Sequence, residues 1–312
     1  MKSFASRLVW HAKRLHHRRV AAAVLSTAPI QPRDDGVILF SMVGTAAVLP
    51  ALVALKSLHA HLGRGRVALL DDGTLTDADR AIFAHHLGDP DITHIDAVDT
   101  GAMPTGGAWE RLLHLLELRR DHYVVQVDSD TVTLGDVPEV AGAIDAARDF
   151  TLRGEANSEL VDIAELRARY AGADPRRPGL HVQEAAETAL GQVQGMGDRL
   201  HRYVRGCAGF AGFSPGGPGR DLAEAFSLEM DCLIGRERWD RWGSEQVTSN
   251  VGVANGRDPL LLPYDRYCNH EDRPLPPDVR FAHFIGTCRF HGTAYRDATR
   301  ASIASLERGG RA

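Results

Sequence analysis

Between Gly36 and Asp136 the chain alternates short, wholly apolar runs with amphipathic stretches, and that alternation leaves few folds open. "GVILFSMVG" is a β-type run ended by glycine, "RVALLDDG" is a second, and "YVVQV" leads into a third ending at Asp128. Continuous apolar runs of this kind suit strands covered on both faces, as in parallel sheets. Pro50 is expected to open a helix with Leu52, Leu55, Leu58 and Leu62 on one side, closed by Gly63. Thr76 followed by Asp79 makes a capping-box-like start for a helix carrying Ile82, Phe83 and Leu87. A short strand is expected around Thr93 to Asp96. After "GAMPTGG" comes a helix with Trp109, Leu112, Leu113 and Leu116 on one stripe. Strand followed by helix, repeated, is the signature of an α/β fold with a mixed, mostly parallel central sheet.

The pattern loosens between residues 154 and 200, where charge, Gly and Pro mix, and this stretch reads as a loop-rich insertion that shapes a substrate site. "HRYVRGCAGFAGFSPGG" returns to strand character, helices follow over Arg220–Ile234 and from near Ser244, and "LLLP" and "RFAHFIG" read as two more strands. No linker divides the chain, so the expected organisation is a basic extension over 1–33 and one domain over 34–312. The extension, "MKSFASRLVWHAKRLHHRR" onward, opens with two lysines, four arginines and three histidines in nineteen residues and no acid. It reads as a frayed basic tail; Phe4, Leu8, Trp10 and Leu15 among the bases could instead rest on an anionic membrane surface.

Composition narrows the partners. With 44% apolar and 25% charged residues the chain can bury a core, and a net charge of −5 argues against nucleic acid. Cys207, Cys232, Cys268 and Cys288 form no C-x-x-C pair and suit a reducing compartment. That points to the cytoplasm, with the basic N-terminus available to the inner membrane face.

The third apolar run ends in Asp128-Ser129-Asp130. Side chains at i and i+2 of an extended segment point the same way, so both carboxylates can converge beyond the strand's C-terminal end, where ligands bind in open α/β sheets. Two convergent carboxylates repel unless a cation lies between them, and hard oxygen ligands suit Mg²⁺ or Mn²⁺. Taken alone, a polar strand exit explains the pair equally well.

The segment "VVQVDSDTVTLGDVPEV" resembles the metal-binding stretch of nucleotide-sugar glycosyltransferases of the A-type fold, nearest to the group of glycogenin and bacterial lipooligosaccharide galactosyltransferases, family eight. Those enzymes place a second metal-site element as H-x-x-G-x-x-K, and "HFIGTCR" gives His283, Gly286 and Arg289 at that spacing, with arginine for lysine in a chain whose only lysines are Lys2, Lys13 and Lys56. The resemblance implies that Asp128, Asp130 and His283 hold Mn²⁺ or Mg²⁺ and that Arg289 takes diphosphate oxygens as a catalytic group. It further implies nucleotide contacts at Ser41, Asp71, Asp72, Arg111 and Ser129. Gly206, Cys207, Asn250 and Gly286 would line the donor or acceptor sugar. "GSEQVTSN" resembles a D-Q-x-x-x-N helix, which makes Glu245 and Gln246 candidates for orienting a reacting hydroxyl. The implied activity is transfer of a hexose from a nucleoside-diphosphate sugar, UDP-sugar foremost, to a glycan, lipid-linked or small-molecule hydroxyl, with retention of configuration.

Three rivals share parts of the pattern. A haloacid dehalogenase-like phosphatase would use Asp128 and Asp130 but needs a downstream cation, normally lysine, and none follows Lys56. A sugar nucleotidyltransferase wants a glycine-rich, lysine-containing loop after the first strand, which "SMVGTAAV" lacks. A non-catalytic sugar- or nucleotide-binding domain would show no metal-dependent nucleotide binding.

Overall fold

The protein is described by a computed structural model covering residues 4–309. Its elements begin with α1 (Phe4–Ala21), β1 (Val37–Val43), α2 (Val48–Leu62), β2 (Arg66–Asp71), α3 (Asp77–Leu87), β3 (Asp91–His94), α4 (Trp109–Leu118) and β4 (Tyr123–Val127). There follow β5 (Thr131–Thr133), α5 (Pro138–Asp145), β6 (Phe150–Arg153), β7 (Leu160–Asp162), α6 (Ile163–Arg169), α7 (Val182–Ala189), β8 (Arg202–Val204) and β9 (Gly206–Phe213). The last are α8 (Arg220–Ile234), α9 (Arg236–Trp239), α10 (Ser244–Ala254), β10 (Leu260–Leu261), β11 (Tyr267–Asn269), β12 (Phe281–His283) and α11 (Ala294–Gly309).

Seven strands hydrogen-bond in the order β10-β6-β9-β4-β1-β2-β3. The pairs β1–β2, β2–β3 and β6–β10 are parallel, while β6–β9 is antiparallel, so the sheet is mixed as expected. The strands that read as unbroken apolar runs are buried along almost their whole length. Local signals hold too. Gly63 ends α2 at φ +68°, and Thr76 with Asp79 forms the capping box of α3. Pro50 lies in the first turn of α2 rather than at its start, where its missing N–H costs no helix bond. The strand expected at Thr93–Asp96 is instead β3, two residues earlier. Its register, Ala68↔Asp91 to Asp71↔His94, ends it level with β2, and Ile95–Ala97 turns away as a 3-10 turn.

The chain resolves into two compact units, the first of residues 1–94, 126–141 and 263–312, the second of 95–125 and 142–262. In the first unit, Leu52, Leu55 and Leu58 of α2 are fully buried, and a three-stranded sheet runs β11-β12-β5. The basic extension is not a frayed tail: Phe4–Ala21 is helical. Its His17 and Ala21 are buried, His17 Nε2 lies 3.0 Å from Thr299 Oγ1, and the ring stacks on Tyr295 with centroids 3.8 Å apart. The anchoring stripe of Trp10, His17 and Ala21 has helical spacing, but its one imidazole sits among bases and carries no apolar signal. The side chains of Phe4 and Leu8 lie outside the described residues.

The second unit gives residues 154–200 more order than their composition suggests. They hold β7, α6 and α7, with β7 antiparallel to β8 and a capping box between His181 and Glu184. Arg119 and Asp149 form a fully buried pair, Nη2 lying 3.0 and 3.1 Å from the two carboxylate oxygens, and Arg119 also donates to Ser214 O.

Candidate metal centre

Three short strands of the first unit assemble the site through their register. β4 ends at Val127, a turn carries Asp128–Asp130, and β5 begins at Thr131, whose hydroxyl donates to Asp128 O at 2.8 Å. β5 pairs antiparallel with β12 so that Thr131 sits opposite His283, and β11 pairs parallel with β12 so that Asn269 sits opposite His283. Phe284 N extends the ladder by donating to Asp130 O at 2.9 Å. Paired residues project to the same face. The register therefore brings the turn of the aspartates and Asn269 to His283 from opposite sides.

His283 Nε2 lies 3.2 Å from Asp130 Oδ1 and 4.0 Å from Asp128 Oδ2, and the candidate ligand atoms of the three residues all lie within 4.8 Å of one another. Asp130 and His283 are buried, while Asp128 is half-buried and leaves one side open. On the far side of the ring, His283 Nδ1 is 3.0 Å from Asn269 Oδ1. An amide oxygen only accepts, so Nδ1 carries a hydrogen, which leaves Nε2 as the nitrogen that faces the carboxylates and can bind a metal once it has given up any proton of its own. Without a cation, that ring needs a second proton to keep its contact with Asp130. With one, two carboxylates and an imidazole make a suitable donor set for a divalent ion. The residues fit a metal.

Burial by itself would raise the Asp130 pKa, but the charge and hydrogen bond of His283 and the charge of Arg289 outweigh it and hold the carboxyl below its ordinary value. Arg289 is anchored beside the metal ligands. Its Nη2 contacts Asp130 Oδ2 and its Nε donates to Phe284 O at 3.0 Å. Gly286, at φ +44° in a 3-10 turn, is the point where the chain reverses between His283 and Arg289, a conformation that costs glycine least. Ser129 is half-buried between the two aspartates.

The other first-unit candidates are built differently. The Asp71 carboxylate is buried and committed to its own turn: it accepts from Gly73 N at 2.9 Å and Leu75 N at 3.1 Å and pairs with Arg80. Asp72 is exposed and accepts from Thr74 N and Oγ1 at 3.0 and 2.6 Å. A side chain at Gly44 would collide with Asp72, which explains the glycine there. Ser41 is buried within β1 with a hydroxyl that has no partner among the described residues.

The remaining candidates gather in the second unit. Arg111, which could have been a solvated helix arginine, is buried and reaches Glu245 with Nη2 3.0 Å from Oε1. Trp109 Nε1 donates to Ser244 Oγ at 2.8 Å, pinning α4 to the start of α10. Gln246 Oε1 accepts from Ala208 N at 3.4 Å and Asn250 Nδ2 donates to Gly206 O at 3.2 Å, so both tie α10 to β9. Gly206 has no room for a side chain, since a Cβ would run into Thr151 Oγ1 and Asn250 Oδ1. Cys207 beside it is buried. Sequence reading missed Asn269, which sits in an unremarkable "RYCN" and gains its meaning only from strand register.

No family model and no curated protein sequence matches the chain. Solved structures do. A galactosyltransferase, LgtC, in complex with donor and acceptor sugar analogs matches with a TM-score of 0.52 at 12% identity, over 88% of this chain and 99% of that one. The chain has the glycosyltransferase A-type fold. An active-site mutant of the same galactosyltransferase matches at a TM-score of 0.50 and 12% identity, over 86% of this chain and 95% of that chain. The resemblance carried by "VVQVDSDTVTLGDVPEV" and "HFIGTCR" thus holds at the level of the A-type architecture, and the Asp128, Asp130 and His283 cluster is assembled within it.

Proposed function

We propose that this chain is a metal-dependent glycosyltransferase that moves a sugar from a nucleoside-diphosphate donor to a hydroxyl acceptor. The observation that carries the proposal is the convergence of Asp128, Asp130 and His283 at the exit of β4, with Asn269 holding the imidazole in its metal-binding tautomer. A divalent cation bound there supplies neutralisation of the charge that develops on the diphosphate leaving group. Asp128, Asp130 Oδ1 and His283 Nε2 would hold it, and the imidazole nitrogen favours Mn²⁺ over Mg²⁺.

Arg289 has donors to spare. A guanidinium carries five N–H groups, and Asp130 Oδ2 and Phe284 O occupy two directions, leaving the rest for a phosphate oxygen beside the cation. The arginine then links metal ligand and substrate, a role a flexible lysine fills less rigidly. Asp72, Ser41, Ser129 and Asp71 are assigned to the nucleotide side, of which exposed Asp72 is the readiest to reach a ribose hydroxyl. In the second unit we assign Glu245, paired with Arg111, and Gln246 to orienting the donor or acceptor hydroxyl, and Gly206, Cys207 and Asn250 to the sugar. A UDP-hexose donor, retention of configuration and a cytoplasmic setting, consistent with four free cysteines, complete the proposal.

The test is a panel of UDP-, GDP- and TDP-sugars, each with and without Mn²⁺, read by thermal stabilisation and by release of the nucleoside diphosphate. Stabilisation by one nucleotide class that needs Mn²⁺ and disappears in Asp130→Ala supports the proposal. No stabilisation by any donor, or stabilisation that survives Asp130→Ala, refutes it, and phosphate release from small phosphomonoesters would favour the phosphatase reading instead.

A further inference from the structure

Helix α1 presents to solvent a surface that the metal centre does not explain. Its inward stripe is narrow: His17 and Ala21 are buried and Trp10 is half-buried. Opposite that stripe Ala12, Leu15, Arg18 and Arg19 are exposed, with His11 on one flank and Val9 on the other. Leu15 and Val9 keep 52% and 54% of their surface exposed, side by side with the bases. No acidic residue occurs before Asp34, while the chain as a whole carries −5, so charge is segregated rather than balanced. At the inward edge, Lys13 and His16 share a crevice with Arg289, His291 and Arg296, and no carboxylate lines it.

We propose that the outer face of α1 is a docking surface for an anionic phospholipid membrane. Basic residues around exposed aliphatic side chains are the composition of helices that lie in the headgroup layer, where bases meet phosphates and apolar groups enter the acyl boundary. Nucleic acid would satisfy the arginines but offers no apolar phase to Leu15 and Val9. The helix is also fixed to the segment that bears Arg289. Trp10 meets Phe290 edge-on with ring centroids 5.2 Å apart, and His17 stacks on Tyr295. Docking through α1 therefore brings the metal centre of the first unit to the membrane surface, where a lipid-linked acceptor would be found.

Flotation of the full-length chain with vesicles tests this, comparing phosphatidylglycerol–phosphatidylcholine mixtures with phosphatidylcholine alone. The chain floats with the anionic vesicles only and is released as salt rises. Arg18→Gln with Arg19→Gln weakens binding roughly 25-fold, at about fivefold per base, and Leu15→Gln weakens it further. Circular dichroism and the Mn²⁺ titration stay unchanged in these variants, because their side chains are exposed and are not among the metal ligands. Equal flotation with neutral vesicles, undiminished binding by the double variant, or tighter binding to a short DNA duplex than to the vesicles would each overturn the proposal. None of those outcomes bears on donor-sugar binding, so the two proposals fail separately.

Discussion

Replacing Asn269 with alanine removes the side chain that accepts from His283 Nδ1, and it is expected to weaken metal binding. Asn269 Oδ1 is 3.0 Å from His283 Nδ1, and both residues are buried. Alanine strands an N–H, which costs about 1–3 kcal/mol, and the ring recovers part of that by moving its proton to Nε2. In that tautomer the nitrogen facing Asp128 and Asp130 is a donor and cannot bind a cation. Loss of such an outer partner typically lowers metal affinity about 10- to 100-fold, or about 1.4–2.8 kcal/mol. The assay is calorimetric titration of Mn²⁺ into wild type, Asn269→Ala, Asn269→Asp and His283→Ala. Asn269→Ala shows the intermediate loss, Asn269→Asp restores affinity because it keeps the acceptor and adds charge, and His283→Ala binds weakest. If Asn269→Ala binds Mn²⁺ as wild type does while His283→Ala loses it, the tautomer argument is wrong.

Arg289→Ala is expected to separate two affinities: Mn²⁺ alone binds at least as tightly, because a guanidinium no longer competes for Asp130, while UDP with Mn²⁺ binds about tenfold or more weakly. A parallel loss of both in calorimetry contradicts that role. Arg119→Met leaves Asp149 buried without its cation and costs about 3–5 kcal/mol, visible as a melting temperature lowered by roughly 10 °C. A shift of only a degree or two would show that the pair is dispensable. Burial and the Arg289 charge push His17 down to about 4, and burial with Lys56 and His85 does the same to His86. The unfolded chain, with histidines near 6.5, then binds more protons than the folded one, so stability is full above about 6.5 and is lost as pH falls toward 4, by up to about 3 kcal/mol per histidine. Urea midpoints that stay flat across that range, or that keep their full slope in His17→Gln, would count against it.

Much of this was legible because it is local. Apolar runs identified β1, β2 and β4, Gly63 and the Thr76–Asp79 pair punctuated their helices, and the two aspartates at a strand exit carried their own chemical logic. His283 could be joined to them only through its spacing to Gly286 and Arg289. What was not legible depends on pairings distant in sequence. Asn269 acts because β11 and β12 are in one register, and nothing in "RYCN" announces it. Asp71 and Asp72 look alike as letters, but turn geometry buries one in its own backbone bonds and leaves the other exposed. The basic extension misled because six cations in nineteen residues mask a stripe one or two side chains wide, and tertiary packing of that stripe on α11 decides that it is a helix. Residues 154–200 misled in the same way: Gly and Pro mark the turns between short elements rather than a single long loop.

The proposed activity requires Asp128, Asp130 and His283 to hold a divalent cation that in turn holds a nucleoside diphosphate. Calorimetric titration of UDP into the full-length protein, with Mn²⁺ and with chelator, reads that claim directly in wild type and in His283→Ala. The predicted result is binding that requires Mn²⁺ in wild type and is lost in the variant, with unchanged circular dichroism. UDP binding of equal strength in chelator, or Mn²⁺-dependent binding that persists in folded His283→Ala, would contradict the account.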